Sequence, residues 1–162
     1  MSTSLIQLST EEKAAVKEVW VQLLVHKKEW GLRFYERLFA LHPHMQSLFK
    51  GNVEEQGQKL VNVLTLVASK LDKLELIRQE VKALAERHKQ YNVKPEYYLP
   101  FINLLLSVLA EAMGDKWTET TDQAMRKIMF VMMEAVIEHM MHSESAYKEA
   151  VESARQFLRI AG

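Results

Sequence analysis

Leu84-Ala85-Glu86-Arg87-His88-Lys89-Gln90-Tyr91-Asn92-Val93 sets a single histidine in line with the apolar stripe of a helix. Ile77, Val81, Leu84, His88 and Tyr91 follow one another in steps of four, three, four and three, the spacing that keeps side chains on one helical face. His88 is therefore expected to point inward. An imidazole in an apolar wall needs partners for both ring nitrogens, because burying an unsatisfied polar group costs roughly 1–3 kcal/mol. Two readings satisfy that need: a core histidine bonded to a carbonyl, or a metal ligand.

Working outward, five glycines and three prolines punctuate 162 residues, and no stretch alternates with a period of two. The chain is expected to be all-α, with helices joined by short turns. Ser9 and Glu12 form a capping box ahead of Val16, Val19, Trp20 and Leu23, which predicts a first helix over Thr10 to Val25. A second carries Trp30, Phe34, Leu38 and Leu41 inward and stops before Pro43, which starts a short helical turn holding Met45, Leu48 and Phe49. From Val53 to Leu71 the apolar positions lie nearly all round the helix, so that helix needs neighbours on most sides. The helix of His88 spans Leu74 to Tyr91, with Asn92 as a left-handed cap ahead of Pro95. A long helix over Pro95 to Met113 is stopped by Gly114-Asp115, and Thr118 caps the next, which runs to about His142 with Met125, Ile128, Met129, Met132, Val136 and Met140 inward. Residues 144–162 repeat Tyr147, Val151, Ala154 and Leu158, an amphipathic helix that must cover something.

Composition removes several functions. Lys plus Arg equals Asp plus Glu at 21 each and no basic block stands out, so nothing draws the chain to nucleic acid. With no cysteine, disulfides, thiolate-held zinc or iron–sulfur clusters and thioether-linked haem are excluded. No apolar run reaches ~18 residues and Met1 to Thr10 lacks the pattern of a signal peptide, so a soluble, cytoplasmic protein with no membrane partner is expected. His42 and His44 flank Pro43 and share no helix face. His139 and His142, with Glu138 alongside, are expected at a solvated helix end.

Three segments, in order and spacing, resemble the globin family over about Leu8 to His142. Phe39-Ala40-Leu41-His42-Pro43 through Leu48-Phe49 is similar to the globin helix-corner signature. Glu55-Gln56-Gly57-Gln58-Lys59-Leu60 resembles the distal segment of bacterial single-domain globins. Arg87-His88-Lys89-Gln90-Tyr91-Asn92-Val93 resembles their proximal-histidine segment and that of neuroglobins. The resemblance implies a globin fold, a 3-on-3 helical sandwich, as a domain over 1–143, with 144–162 as an additional C-terminal helix. It also implies a haem b (iron protoporphyrin IX), bound non-covalently between the helix of 53–71 and that of 74–91, with His88 as the axial metal ligand.

The same resemblance assigns the remaining site residues. Phe49 stacks on the porphyrin, although a core aromatic would serve the fold as well. Lys59, at the pocket rim, reaches a haem propionate or is simply solvated. Leu60 closes the distal wall. Tyr98, ten residues after His88, stands where some bacterial globins place a tyrosine beside the proximal histidine, and Glu138 is offset from its carboxylate partner there. On the distal side Gln56 occupies the place of the histidine of many animal globins, which excludes bis-histidine coordination through that position. Tyr35 on the second helix faces the ligand. A phenol beside a carboxamide makes two donors, and at ~1–3 kcal/mol each toward a partly anionic acceptor they slow oxygen release by one to a few powers of ten.

The expected function is reversible binding of oxygen, nitric oxide and carbon monoxide, extended to nitric oxide dioxygenation with an external reductase, since no flavin- or nicotinamide-binding segment is seen. The alternative is a haem-based redox or gas sensor acting through a partner. A monomer and a homodimer are equally compatible with the pattern.

Overall fold

The computed structural model describes residues 6–49, 52–90, 98–140 and 143–160, with the side chains of Lys27, Met140 and residues 87–90 left aside. Seven helices occur among them: α1 (Thr10–Val25), α2 (Lys27–Leu41), α3 (Val53–Ser69), α4 (Leu74–Gln90), α5 (Tyr98–Met113), α6 (Glu119–Met140) and α7 (Glu144–Phe157). Short 3-10 turns occupy Pro43–Leu48 and Gly114–Lys116, and no strand is present among the described residues.

The boundaries follow local chemistry. At the start of α1 the Ser9 hydroxyl accepts from the Glu12 amide at 3.1 Å while the Glu12 carboxylate accepts from the Ser9 amide at 3.0 Å, the reciprocal cap its spacing predicts. Asn52 caps α3 by accepting from the Glu55 amide at 2.8 Å. Thr118 does the same for α6 through the Thr121 amide at 3.2 Å, and Ser143 for α7 through the Ala146 amide at 3.1 Å. Gly114 ends α5 at φ 56°, a left-handed backbone that glycine adopts without a Cβ penalty. The expected Asn92 cap, Pro95, Met141 and His142 lie outside the described residues.

Two layers of three helices face each other. In one, α1 lies against α3, with α4 beyond; in the other, α5 lies between α2 and α6. Across the layers α2 packs on α3, α1 on α6 and α4 on α6. α7 is outside this sandwich and packs along α6. The core joins Val16, Val19 and Leu23 to Phe34 and Leu38, to Leu60, Val61 and Leu64, and to the largely apolar α6. Leu41 is a correction: it is 63 % exposed, because α2 ends there and its last turn has left the face that buries Trp30, Phe34 and Leu38. α3 stops at Ser69, two residues short of expectation, and Leu71 is buried from the following turn. No helix among the described residues is long and apolar enough to cross a membrane.

Candidate functional site

α2 and α3 approach closely where two glycines meet: a Cβ on Gly31 would stand 3.3 Å from the Cα of Gly57. Removing both side chains lets the backbones touch, and this positions the residues on either side of the crossing. Tyr35 is one turn beyond Gly31 on α2. Gln56 adjoins Gly57 on α3, and Leu60 follows it by three residues. All three are buried, at 3 %, 7 % and 9 % exposure. The crossing therefore gathers the expected distal residues on one side of the fold.

Tyr35 belongs to an aromatic cluster. Phe34 is edge-on to both Tyr35 and Phe101 with centroids 4.9 Å apart, and Phe49 is edge-on to Tyr35 at 5.4 Å. Phe39 lies 5.6 Å from Phe49. Such pairs hold ring positions beyond what area burial supplies. Burial drives the Tyr35 phenol far above its ordinary value, so it remains a neutral O–H and a hydrogen-bond donor at any working pH. Tyr98, half-buried at the start of α5, is pushed up to about 12 for the same reason. Lys59 is exposed.

The opposite wall is α4, whose Ile77 and Val81 are buried. Among the described residues α4 packs on α6 and only sparsely on α3, although α3 and α4 are consecutive. Between them Val63, Leu66 and Val67 of α3 and Ile77, Glu80, Val81 and Leu84 of α4 line a cavity of about 50 Å³. None of the expected site residues lines it. It is also well below the ~300–1,000 Å³ of a small-molecule pocket, so it marks an edge of the α3–α4 interface. The α4 backbone is helical through position 88, one turn after Leu84, while the side chain of His88 lies outside the described residues.

In donor chemistry this arrangement fits a haem. α2 and α3 bury a phenol and a carboxamide, and α4 carries a histidine one turn after Leu84. Residues 32–137 match the family model described as Globin.

The chain belongs to the globin family. This globin is 31 % identical to a flavohemoprotein of Halalkalibacterium halodurans over 85 % of its own length and 34 % of that protein. It is 35 % identical to an uncharacterized globin-like protein of Aquifex aeolicus, over 66 % of this chain and 77 % of the relative. A flavohemoprotein of Bacillus subtilis is 32 % identical over 65 % of this chain and 27 % of its own length. The chain spans about a third of the flavohemoproteins it matches. Membership of the globin family and the flavohemoprotein relatives imply a haem cofactor.

One feature of this globin escapes periodicity. Arg78 and Glu134 are buried, at 3 % and 4 % exposure, and hydrogen-bond each other between α4 and α6. Glu138 lies 3.8 Å from Arg78 and accepts from Lys82 at 3.2 Å. His139, expected at a solvated end, meets the Glu86 carboxylate at 2.5 Å. The available signal was Glu134 itself, a lone charge inside the apolar run Ile128 to Ile137. Its position implies a buried cationic partner, but the identity of that partner follows only from the packing of α4 on α6.

Proposed function

We propose that this globin binds oxygen and other diatomic gases reversibly at a non-covalently held haem b, and converts nitric oxide and oxygen to nitrate. The balance is one nitric oxide, one oxygen and one electron giving one nitrate. The electron comes from a reductase outside residues 1–162. When bound, haem would supply the iron that takes up the gas and the redox change that the oxidation needs.

The chain's own residues do the rest. His88 would hold the metal from α4. Phe49, kept edge-on to Tyr35 by the aromatic cluster, presents a ring to the macrocycle, and Leu60 restricts the space over the ligand. Lys59, exposed beside Leu60, neutralises a propionate at the rim, and Tyr98 flanks the proximal side from α5. The Tyr35 hydroxyl and the Gln56 carboxamide donate to a polar gas ligand and hold it in place. Donors fixed in a buried site are ready before charge develops, so they favour reaction with a radical over escape.

The observation that carries this reading is the burial of Tyr35 and Gln56 on either side of the Gly31–Gly57 crossing. Residues 1–143 are proposed as the globin unit and α7 as an appended helix. The apolar face of α7 is covered by α6, with Tyr147, Ala154 and Leu158 buried. That supports a monomeric gas-binding protein over a sensor whose tail engages a partner. A Tyr35→Phe, Gln56→Leu variant is expected to release oxygen at least ~10-fold faster in stopped flow, as loss of two donors implies. Equal dissociation rates in variant and parent would remove the basis for the dioxygenase reading.

A further inference from the structure

Three α4 side chains at four-residue spacing, Arg78, Lys82 and Glu86, meet three α6 side chains, Glu134, Glu138 and His139. This spacing makes one edge of α4 a ladder that runs alongside α6 and ends two residues before His88. Its rungs differ in exposure. The Arg78 and Glu134 side chains are 4 % and 5 % exposed, whereas that of Glu86 is 54 % exposed. Tyr147 of α7 is itself buried, and burial raises its phenol, with the charge of Glu138 adding to that rise and Arg78 opposing it.

Apolar contacts are non-directional and distinguish one register of α4 on α6 from the next less sharply than a charge pair does. α4 meets α6 with Ala85 as well as larger apolar side chains. A slide of α4 by one turn, about 6 Å, strands one buried charge in either direction: moving Arg78 onto Glu138 leaves Glu134 unpaired, and moving Lys82 onto Glu134 leaves Arg78 unpaired and sets Glu86 against Glu138. A buried charged pair is thus compatible with a single register, as a polar residue in a coiled-coil seam is.

We propose that the buried Arg78–Glu134 pair fixes the register of α4 on α6 and so holds residue 88 at one height relative to α3. Arg78 and Glu134 are positioning residues: they act through the helix and touch no ligand. The inference rests on the reading of His88 as the haem ligand only for its functional consequence.

The test uses the haem-loaded full-length chain and an Arg78→Met, Glu134→Leu variant, which replaces the pair by apolar groups so that neither charge is stranded. The variant is expected to melt at or above the parent temperature, since such replacements are often neutral or stabilising. Its α4 amides should exchange at least ~10-fold faster while those of α2 and α3 do not change. The iron–imidazole stretching band of the ferrous protein should split or broaden, as a helix with two registers requires. Parent-like α4 protection with a single sharp band overturns the proposal. If the double variant does not fold, Arg78→Lys keeps the charge without the planar fork. It should still accelerate α4 exchange, and parent-like protection there overturns the proposal equally. A His88→Ala variant that retains the iron–imidazole band refutes the ligand assignment instead, and the α4 exchange rates then still decide whether the pair sets the register.

Discussion

Replacing each glycine of the α2–α3 crossing by alanine should have opposite effects. A Cβ on Gly31 meets the Gly57 Cα at 3.3 Å, a few tenths of an ångström too close to backbone that cannot rotate away. A Cβ on Gly57 meets the Gly31 Cα at 3.7 Å and its carbonyl carbon at 3.9 Å, ordinary van der Waals distances. Either substitution gains about 1 kcal/mol of helix propensity, since both positions are inside helices. Gly31→Ala must also part α2 from α3, an overpacking cost of roughly 1–3 kcal/mol. Gly57→Ala is therefore expected to melt about 2–4 °C above the parent, and Gly31→Ala at or below it by up to several degrees. Thermal unfolding followed by far-ultraviolet circular dichroism measures both. Oxygen dissociation supplies the second readout, because Tyr35 lies one turn from Gly31: it should quicken in Gly31→Ala and stay at the parent rate in Gly57→Ala. A Gly31→Ala protein as stable as Gly57→Ala, with parent kinetics, refutes the claim that this contact sets the spacing of the distal residues.

His88→Ala should abolish the iron–imidazole stretching band of the ferrous protein and most haem retention, measured by transfer of haem to an apomyoglobin acceptor; retention at the parent rate means that another residue carries the metal. Deleting 144–162 uncovers the α6 surface beneath Tyr147, Ala154 and Leu158, and two buried large side chains at about 1.5–3 kcal/mol each, less the ordering of α7, should lower the melting temperature by roughly 5–10 °C. An unchanged melting curve places α7 elsewhere in solution. For Glu12, burial pushes the carboxyl up but is outweighed by hydrogen bonds from Lys127 and the Ser9 amide, leaving it below its ordinary value. Its contribution is thus complete above about pH 4.5 and is lost as pH falls through the lowered folded value. Parent and Glu12→Gln should differ in stability near neutrality and converge in acid, and a gap that persists at the acid end contradicts the linkage.

Periodicity and caps carry information wherever a choice depends on neighbours within a turn or two. The reciprocal Ser9–Glu12 cap placed α1 at Thr10–Val25, and Pro43 ended α2. The Tyr147, Val151, Ala154 and Leu158 spacing showed that α7 needed cover. Family resemblance added the order of segments that marks a globin. Leu41 shows the limit of the same signal. Its spacing from Leu38 suits a buried stripe, but α2 ends at Leu41 and its last turn has left the buried face, so Leu41 is exposed.

What the chain determined alone was most of its helices and their apolar faces, since each depends on a 3.6-residue repeat and on the chemistry of a few adjacent side chains, whereas Tyr35 and Gln56 were singled out only by family resemblance. Tertiary structure decided which faces meet. The partner of Arg78 is 56 residues away at Glu134, the partner of Gly31 is Gly57, and α7 lies on its own α6. Pairings at that distance are not written in any local repeat, because they depend on how whole helices cross, and a crossing is selected by shape and desolvation summed over the interface.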